Sequence, residues 1–441
     1  MSFNFDPAKV CACGKTHTTA VEHVTIEEGA INAIPGYAKA YGAKKAFIIG
    51  DINTYPLAGD KITAMLEAEG ICCTSYIFKE RRLEPDEKAV GSLLMAYDAS
   101  CDIIIAIGSG VINNISKILA HRTNHPYIIV ASAAYMDGYA SATSSMALAG
   151  VKVTVKAKAP EVIIGDLDIL SGAPVHMAKA GLGDMLAKYI AICEWRISNL
   201  INGEYYCEQV AQFTRESLGA CVERAPGLLT RDADSMDALF NGLINCGKSM
   251  DYAGVSRPAA GVEHYFSHIW DMRGLEFGTP TSSHGVQCAL GTLYTIKAYE
   301  ALKKVIPNKQ KALDYAANFD FEDWSRQLTE FIGKGAEPMI ALEAKEHKYD
   351  VEKHKQRIEV IVDKWDEILK IIDEELPTLA EFEAILDSFE APKSLAEVGM
   401  DDSNLGMVLK CTKDIRDKYI LSRLIWDLGI IDEFCDEVFG K

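Results

Sequence analysis

Over residues 21–131 short apolar runs alternate with stretches of helical spacing. The pattern predicts strands at 21–26, 46–50, 74–78, 103–108 and 127–131, and helices at 30–41, 55–69, 86–97 and 111–121. The helix at 86 is entered through Glu84-Pro85-Asp86, a good start signal. Strands alternating with helices imply parallel βαβ units and a sheet covered on both faces. The pattern then changes between Ala149 and Asp166. Val151, Val153 and Val155 alternate with Lys152, Thr154 and Lys156, which predicts a half-exposed hairpin strand before a buried strand at 161–165. Beyond Leu170 the spacing is almost wholly helical, and the turn cluster Ser171-Gly172-Ala173-Pro174 marks the boundary. The expectation is an α/β domain over residues 1–170 and an all-α domain over 171–441. Residues 301–391 are rich in Lys and Glu, with Ile358, Ile361, Val362, Trp365, Ile368 and Leu369 at helical spacing. They read as long surface helices, with an oligomer or partner surface as the alternative.

Composition narrows the function classes. The 441 residues, 49% apolar and 24% charged, suit a two-domain globular chain. No apolar run has the length of a membrane span, and residues 1–15 carry no apolar signal-peptide core, so a cytoplasmic protein without membrane contact is expected. The net charge of −18 and the lack of a basic stripe argue against a nucleic-acid partner. A phosphate site in so acidic a chain needs local cations or helix N-termini. The 12 cysteines lie mostly in apolar stretches and read as reduced and buried, with Cys72 and Cys73 at a strand edge.

Two sets of residues point to chemistry. The strand 103–108 runs into Gly108-Ser109-Gly110, a turn that offers backbone N–H groups and a helix dipole to an anion such as a pyrophosphate. It is not a full G-x-G-x-x-G, and a purely structural turn reads equally well. Asp51, just past the strand 46–50, suits ribose hydroxyls or, equally, a helix N-cap. Among the ten histidines, His264 and His268 are four apart on one helix face and His284 follows soon after. Tyr265 stands where a zinc protease needs Glu, which excludes that reading. Asp184, in a helix with Gly181 and Gly183, offers a carboxylate. Two imidazoles and a carboxylate suit zinc, nickel or iron. Cys11, Cys13 and His17 look like half a zinc knuckle without its second pair.

In order, the pieces Gly108-Ser-Gly-Val-Ile-Asn113, Met136-Asp137-Gly-Tyr-Ala-Ser141, Gly181-Leu-Gly-Asp184, Ser256–His264 and Ser283-His-Gly285 resemble the iron-containing alcohol dehydrogenase and dehydroquinate synthase superfamily. Within it the chain most resembles the bacterial sn-glycerol-1-phosphate dehydrogenases, over about residues 21–292. The resemblance implies a Rossmann-like α/β domain plus an all-α C-terminal domain, the dehydroquinate synthase-like fold, with the active site in the cleft between them. It assigns Asp184, His264 and His284 to one divalent metal ion. NAD or NADP is assigned to Asp51, Gly108, Gly110, Val111, Ile112, Asn113, Asn114, Ser132, Ala133, Ala134, Tyr135 and Ser141. Asp137 and His268, with Asp184, are placed against the substrate. The chain departs from relatives at Asn114, where Asp is common, at Tyr135, where a small residue is usual, and at Val286, where Glu is frequent.

The implied reaction is interconversion of dihydroxyacetone phosphate and sn-glycerol 1-phosphate, an entry to phospholipid metabolism, by a homodimer. Lys188, taken to lie one turn past Asp184 on its helix, and Arg257 are the candidate phosphate cations. Structural ion pairs are the competing reading for both. The alternative functions are a glycerol or polyol dehydrogenase and a dehydroquinate-synthase-like lyase.

Overall fold

The computed structural model describes residues 5–6, 8–148 and 151–440. Met1–Asn4 of the N-terminal reading, and Ala149 where the pattern change begins, lie outside the described residues.

Six strands form one parallel sheet: β1 (His23–Glu27), β2 (Lys45–Asp51), β3 (Cys72–Phe78), β4 (Ile103–Gly108), β5 (Tyr127–Ala131) and β8 (Val162–Asp166). Their order is β1-β8-β5-β4-β2-β3. Every residue of β4 and β5 is buried, as continuous apolar runs in a doubly covered sheet require. Alternate residues Ile103, Ile105 and Ile107 of β4 join Ile128, Val130, Val162 and Ile164 in one core, closed by Ile34, Ile62 and Leu66 from the covering helices. The expected hairpin is present: β6 (Thr143–Leu148) pairs antiparallel with β7 (Val151–Lys156). Its Met146 packs on Ile118 of the helix Gly110–Thr123. Cys72 opens β3, the edge strand, as expected.

The division into units departs from a single cut at 171–174. One unit is Met1–Met185 with Gln212–Val255, and the other is Leu186–Ala211 with Ser256–Lys441. Helix Ala233–Ala253 and most of helices Val175–Leu186 and Glu208–Glu223 therefore belong with the sheet. The reason is a contact that helical spacing does not encode: Phe240 of the helix Ala233–Ala253 lies against Gly165 of β8, where a Cβ would meet its ring at 2.4 Å.

The second unit is helical, with its described secondary structure being helices alone. Its charged stretch is not made of long helices. It forms short ones, including Val351–Asp363 and Trp365–Glu375, which break at Lys364. Ile358, Ile361 and Ile368 are buried, whereas Val362 is 38% exposed. The centre of this unit is the pair Val262–Phe277 and His284–Leu302. These helices touch backbone to backbone because position 291 is Gly: a Cβ there would sit 2.6 Å from the Glu263 carbonyl oxygen.

Candidate active site

In the first unit the sheet reverses direction of growth between β2 and β4, since β3 lies outside β2 while β5 and β8 lie beyond β4. The ends of those two strands carry Asp51 and the glycine turn, the place where open α/β sheets take nucleotides. Asp51 accepts the N–H groups of Asn53 and Thr54 on Oδ1, both at 2.8 Å, so that one oxygen holds the turn into the next helix, whose N-cap is Thr54. Past Gly108, helix Gly110–Thr123 begins at once. Asn113 N–H already bonds Ser109 O, which leaves the N–H groups of Gly110, Val111 and Ile112 as its first-turn donors. The Asn113 side chain is fully buried, bonded to Tyr127 Oη at 2.9 Å and to Gly138 O. Only its backbone faces the turn, so its amide cannot read a cofactor. The Asn114 amide donates to Ser145 O on the hairpin.

The loop after β5 is held from below by Lys117, which the sequence reading missed. Its ammonium is buried and donates to Gly138 O, Ser141 O and Thr143 O at 3.0, 3.2 and 2.6 Å. Burial pushes its pKa down to about 7, against the pull of Asp137 and Asp251. Ser132 N–H bonds Gly108 O, and Ala133 O accepts the Tyr139 hydroxyl. Ala133 and Ala134 are buried, Tyr135 is half-buried, and Ser141 Oγ bonds within the loop to Thr143. The same loop meets helix Val175–Leu186 so closely that a Cβ on Gly181 would lie 2.2 Å from Ala134 O. One turn on, Asp184 is fully buried and its Oδ2 accepts the Asp137 N–H at 3.0 Å. Asp137 Oδ2 accepts from the Cys246 thiol at 3.3 Å. The small residues around Asp184 thus serve close packing of the loop that carries Asp137.

In the second unit His264 and His284 face each other with ring centroids 5.2 Å apart. His264 Nδ1 lies 2.7 Å from Glu263 Oε1, a buried carboxylate that also accepts Gly261 N–H. The carboxylate fixes the proton on Nδ1, so Nε2 carries the ring lone pair. His284 Nδ1 lies 3.1 Å from Ser267 Oγ, whose own proton goes to Gln287 Oε1 at 2.6 Å. The same logic therefore presents His284 Nε2. Cys288 joins them: donor atoms of His264, His284 and Cys288 lie within 4.8 Å of one another. Burial opposes ionisation of Cys288, yet the two imidazoles hold its thiol below the ordinary value. Glu194 supports the helix start by accepting Val262 N–H at 2.9 Å, and burial, then Glu263, push it up to about 8. His268 is half-buried one turn beyond His264. Glu263 and Cys288 carried sequence signals, adjacency to His264 and an i+4 step from His284. Ser267 and Lys117 carried none.

Two expectations are corrected. Lys188 does not extend the Asp184 helix, which ends at Leu186; it opens the helix Lys188–Asn202 and donates to Ala259 O at 3.0 Å, fully buried. Arg257 is buried and spends its guanidinium on Glu204, at 2.8 and 2.6 Å, and on Tyr419 O at 2.8 Å. It ties Glu204 and the 419 loop together within its unit, so it is a structural cation and not a phosphate reader. A cavity of about 1170 Å³ in the first unit contains none of the candidate residues, so donor chemistry and not volume locates the site.

Comparison with known proteins agrees. Residues 25–174 match the family described as iron-containing alcohol dehydrogenase. Glycerol-1-phosphate dehydrogenase, NAD(P)+, of Halalkalibacterium halodurans is 32% identical over 68% of this chain and 76% of its own. The enzyme of that name from Bacillus licheniformis is 34% identical over 66% and 74%. Among solved structures, glycerol dehydrogenase of Schizosaccharomyces pombe superposes with a TM-score of 0.60 at 17% identity, covering 95% of this chain and 91% of that one. Maleylacetate reductase of Agrobacterium tumefaciens gives 0.62 at 15% identity, covering 96% and 97%. The structural likenesses establish the fold, and the sequence identities go further: the chain belongs to the iron-containing alcohol dehydrogenases and, within them, to the glycerol-1-phosphate dehydrogenase family.

Proposed function

We propose that the protein is an NAD(P)-linked, metal-dependent dehydrogenase that interconverts dihydroxyacetone phosphate and sn-glycerol 1-phosphate, working as a cytoplasmic homodimer. Among the described residues no helix is long and apolar enough to cross a membrane. The observation that carries the reading is the imidazole pair His264 and His284, each with its Nδ1 bonded to a side chain so that Nε2 carries the ring lone pair. Asp184 is the carboxylate proposed to join them, and zinc, nickel or iron fits two imidazoles and one carboxylate. When bound, the ion supplies Lewis-acid polarisation of a carbonyl oxygen. The relatives' shared name supports the substrate.

The chain's own residues then do the following. Glu263 and Ser267 hold the rings in one tautomer and orientation. The Asp137 N–H orients the Asp184 carboxylate. The first-turn N–H groups of Gly110, Val111 and Ile112 bind the dinucleotide phosphates, and Asp51 meets ribose hydroxyls with Oδ2, since Oδ1 is taken by the turn at Asn53 and Thr54. Lys117 pins the loop that carries Asp137 and Ser141, and His268 exchanges a proton with a substrate hydroxyl. The test is kcat/KM for dihydroxyacetone phosphate and dihydroxyacetone, with NADH and NADPH, on metal-reconstituted protein. The phosphorylated ketone should be preferred, with NADH over NADPH. Preference for dihydroxyacetone points to a polyol dehydrogenase, and no net NADH consumption points to the lyase.

A further inference from the structure

The N-terminal segment holds a second donor cluster that the proposed reaction does not use. Residues 10–16 form a tight turn: Val10 bridges Thr16, Cys11 N–H bonds Lys15 O at 2.8 Å, and Gly14 N–H bonds Cys11 O at 2.9 Å. The turn projects Cys11 and Cys13 toward His17, and the three donor atoms lie within 4.8 Å of one another. His17 is 2% exposed. Its Nδ1 lies 2.7 Å from Tyr252 O, which can only accept, so Nδ1 carries the proton and Nε2 carries the lone pair. That lone pair is 3.4 Å from Cys13 Sγ. Ligands at about 2.0 and 2.3 Å from one tetrahedral zinc stand roughly 3.5 Å apart, so the spacing fits a shared ion. A ring nitrogen backed by a main-chain carbonyl is also the usual outer-shell arrangement of a zinc-bound imidazole.

We propose that Cys11, Cys13 and His17 bind a structural zinc ion. The helix Glu208–Glu223 runs into the first unit from Gln212 onward. That helix carries Phe213, which packs against Phe5 and Tyr252 at ring distances of 6.3 and 6.0 Å, while Phe5 lies 4.6 Å from the His17 ring. Among the described residues no cysteine forms a disulfide. Two thiolates and an imidazole locked to a main-chain carbonyl are the donor types of a structural zinc site. It clamps the N-terminal segment onto the end of the helix Ala233–Ala253, where His17 already meets Tyr252.

The test uses the full chain with His264→Ala and His284→Ala, so that the other donor cluster contributes no metal. Reduced protein of this background, purified and measured by elemental analysis, should hold one zinc per chain. Adding Cys11→Ser and Cys13→Ser should remove it. Cobalt introduced in place of zinc should show thiolate-to-cobalt charge-transfer absorption and the intense visible bands of a tetrahedral ion. This reading needs only the background protein, so it stands if the Cys→Ser chains fail to fold. A reduced background protein with no zinc, a cobalt form without charge-transfer bands, or equal zinc in the Cys11→Ser, Cys13→Ser chain overturns the proposal.

Discussion

The helical histidine pair and the N-terminal turn use the same donors in different surroundings. His264 and His284 project from two packed helices and are backed by side chains, Glu263 and Ser267. His17 comes from a turn and is backed by a main-chain carbonyl, with thiols as its neighbours. A carboxylate behind an imidazole raises its basicity and can be tuned, which suits an ion that must respond to a substrate. A ring locked to a carbonyl and surrounded by thiolates suits an ion that only holds the chain together. The number of histidines therefore says less about a metal's task than what stands behind each ring.

The largest effect should come from removing a helical ligand. Asp184→Ala, His264→Ala and His284→Ala should each lose the reaction's metal and at least about 10³-fold in kcat/KM, since Lewis-acid stabilisation is worth several kcal/mol. Circular dichroism should show that the chains stay folded. Full turnover in His264→Ala would remove the pair from the site. Changing only what stands behind the ring should do less: Glu263→Gln is expected to cost roughly 10–100-fold in metal affinity, read by chelator titration. An unchanged affinity would make the two backing groups equivalent and end the contrast.

Smaller again is Arg257→Ala. Losing its bonds to Glu204 and Tyr419 should cost about 1–3 kcal/mol of stability, while kcat/KM falls by one common factor for dihydroxyacetone phosphate and dihydroxyacetone. A loss confined to the phosphorylated ketone would restore it as a phosphate reader. The smallest effect is a pH slope. Glu194 is held at about 8 in the fold against an ordinary 4.5, so between those values the folded protein keeps a proton that the unfolded chain releases. Stability of the metal-free protein should fall as pH rises through that window, and Glu194→Gln should flatten the slope. Urea midpoints at about pH 5 and about pH 8 read it.

The sheet was legible because buried parallel strands are written as apolar runs; Ile103–Gly108 and Tyr127–Ala131 could be little else. The placement of Ala233–Ala253 was not, because amphipathic spacing says that a helix packs, not on which layer; Phe240 under Gly165 is a tertiary fact. Asp184, His264 and His284 stood out through residue type and spacing. Lys188 and Arg257 were misread because a charged residue near a ligand in sequence looks the same whether its head group points to a site or to Ala259 O or Glu204. Lys117 was invisible, since nothing in a helix sequence shows that a lysine ends under three carbonyls.

The central claim is tested most directly by stereochemistry. Metal-reconstituted protein with NAD+ should be offered sn-glycerol 1-phosphate, sn-glycerol 3-phosphate and glycerol side by side, with NADH formation followed by absorbance. The account predicts rapid oxidation of sn-glycerol 1-phosphate and little turnover of its mirror image or of glycerol. Faster oxidation of glycerol, or of the 3-phosphate, would contradict it.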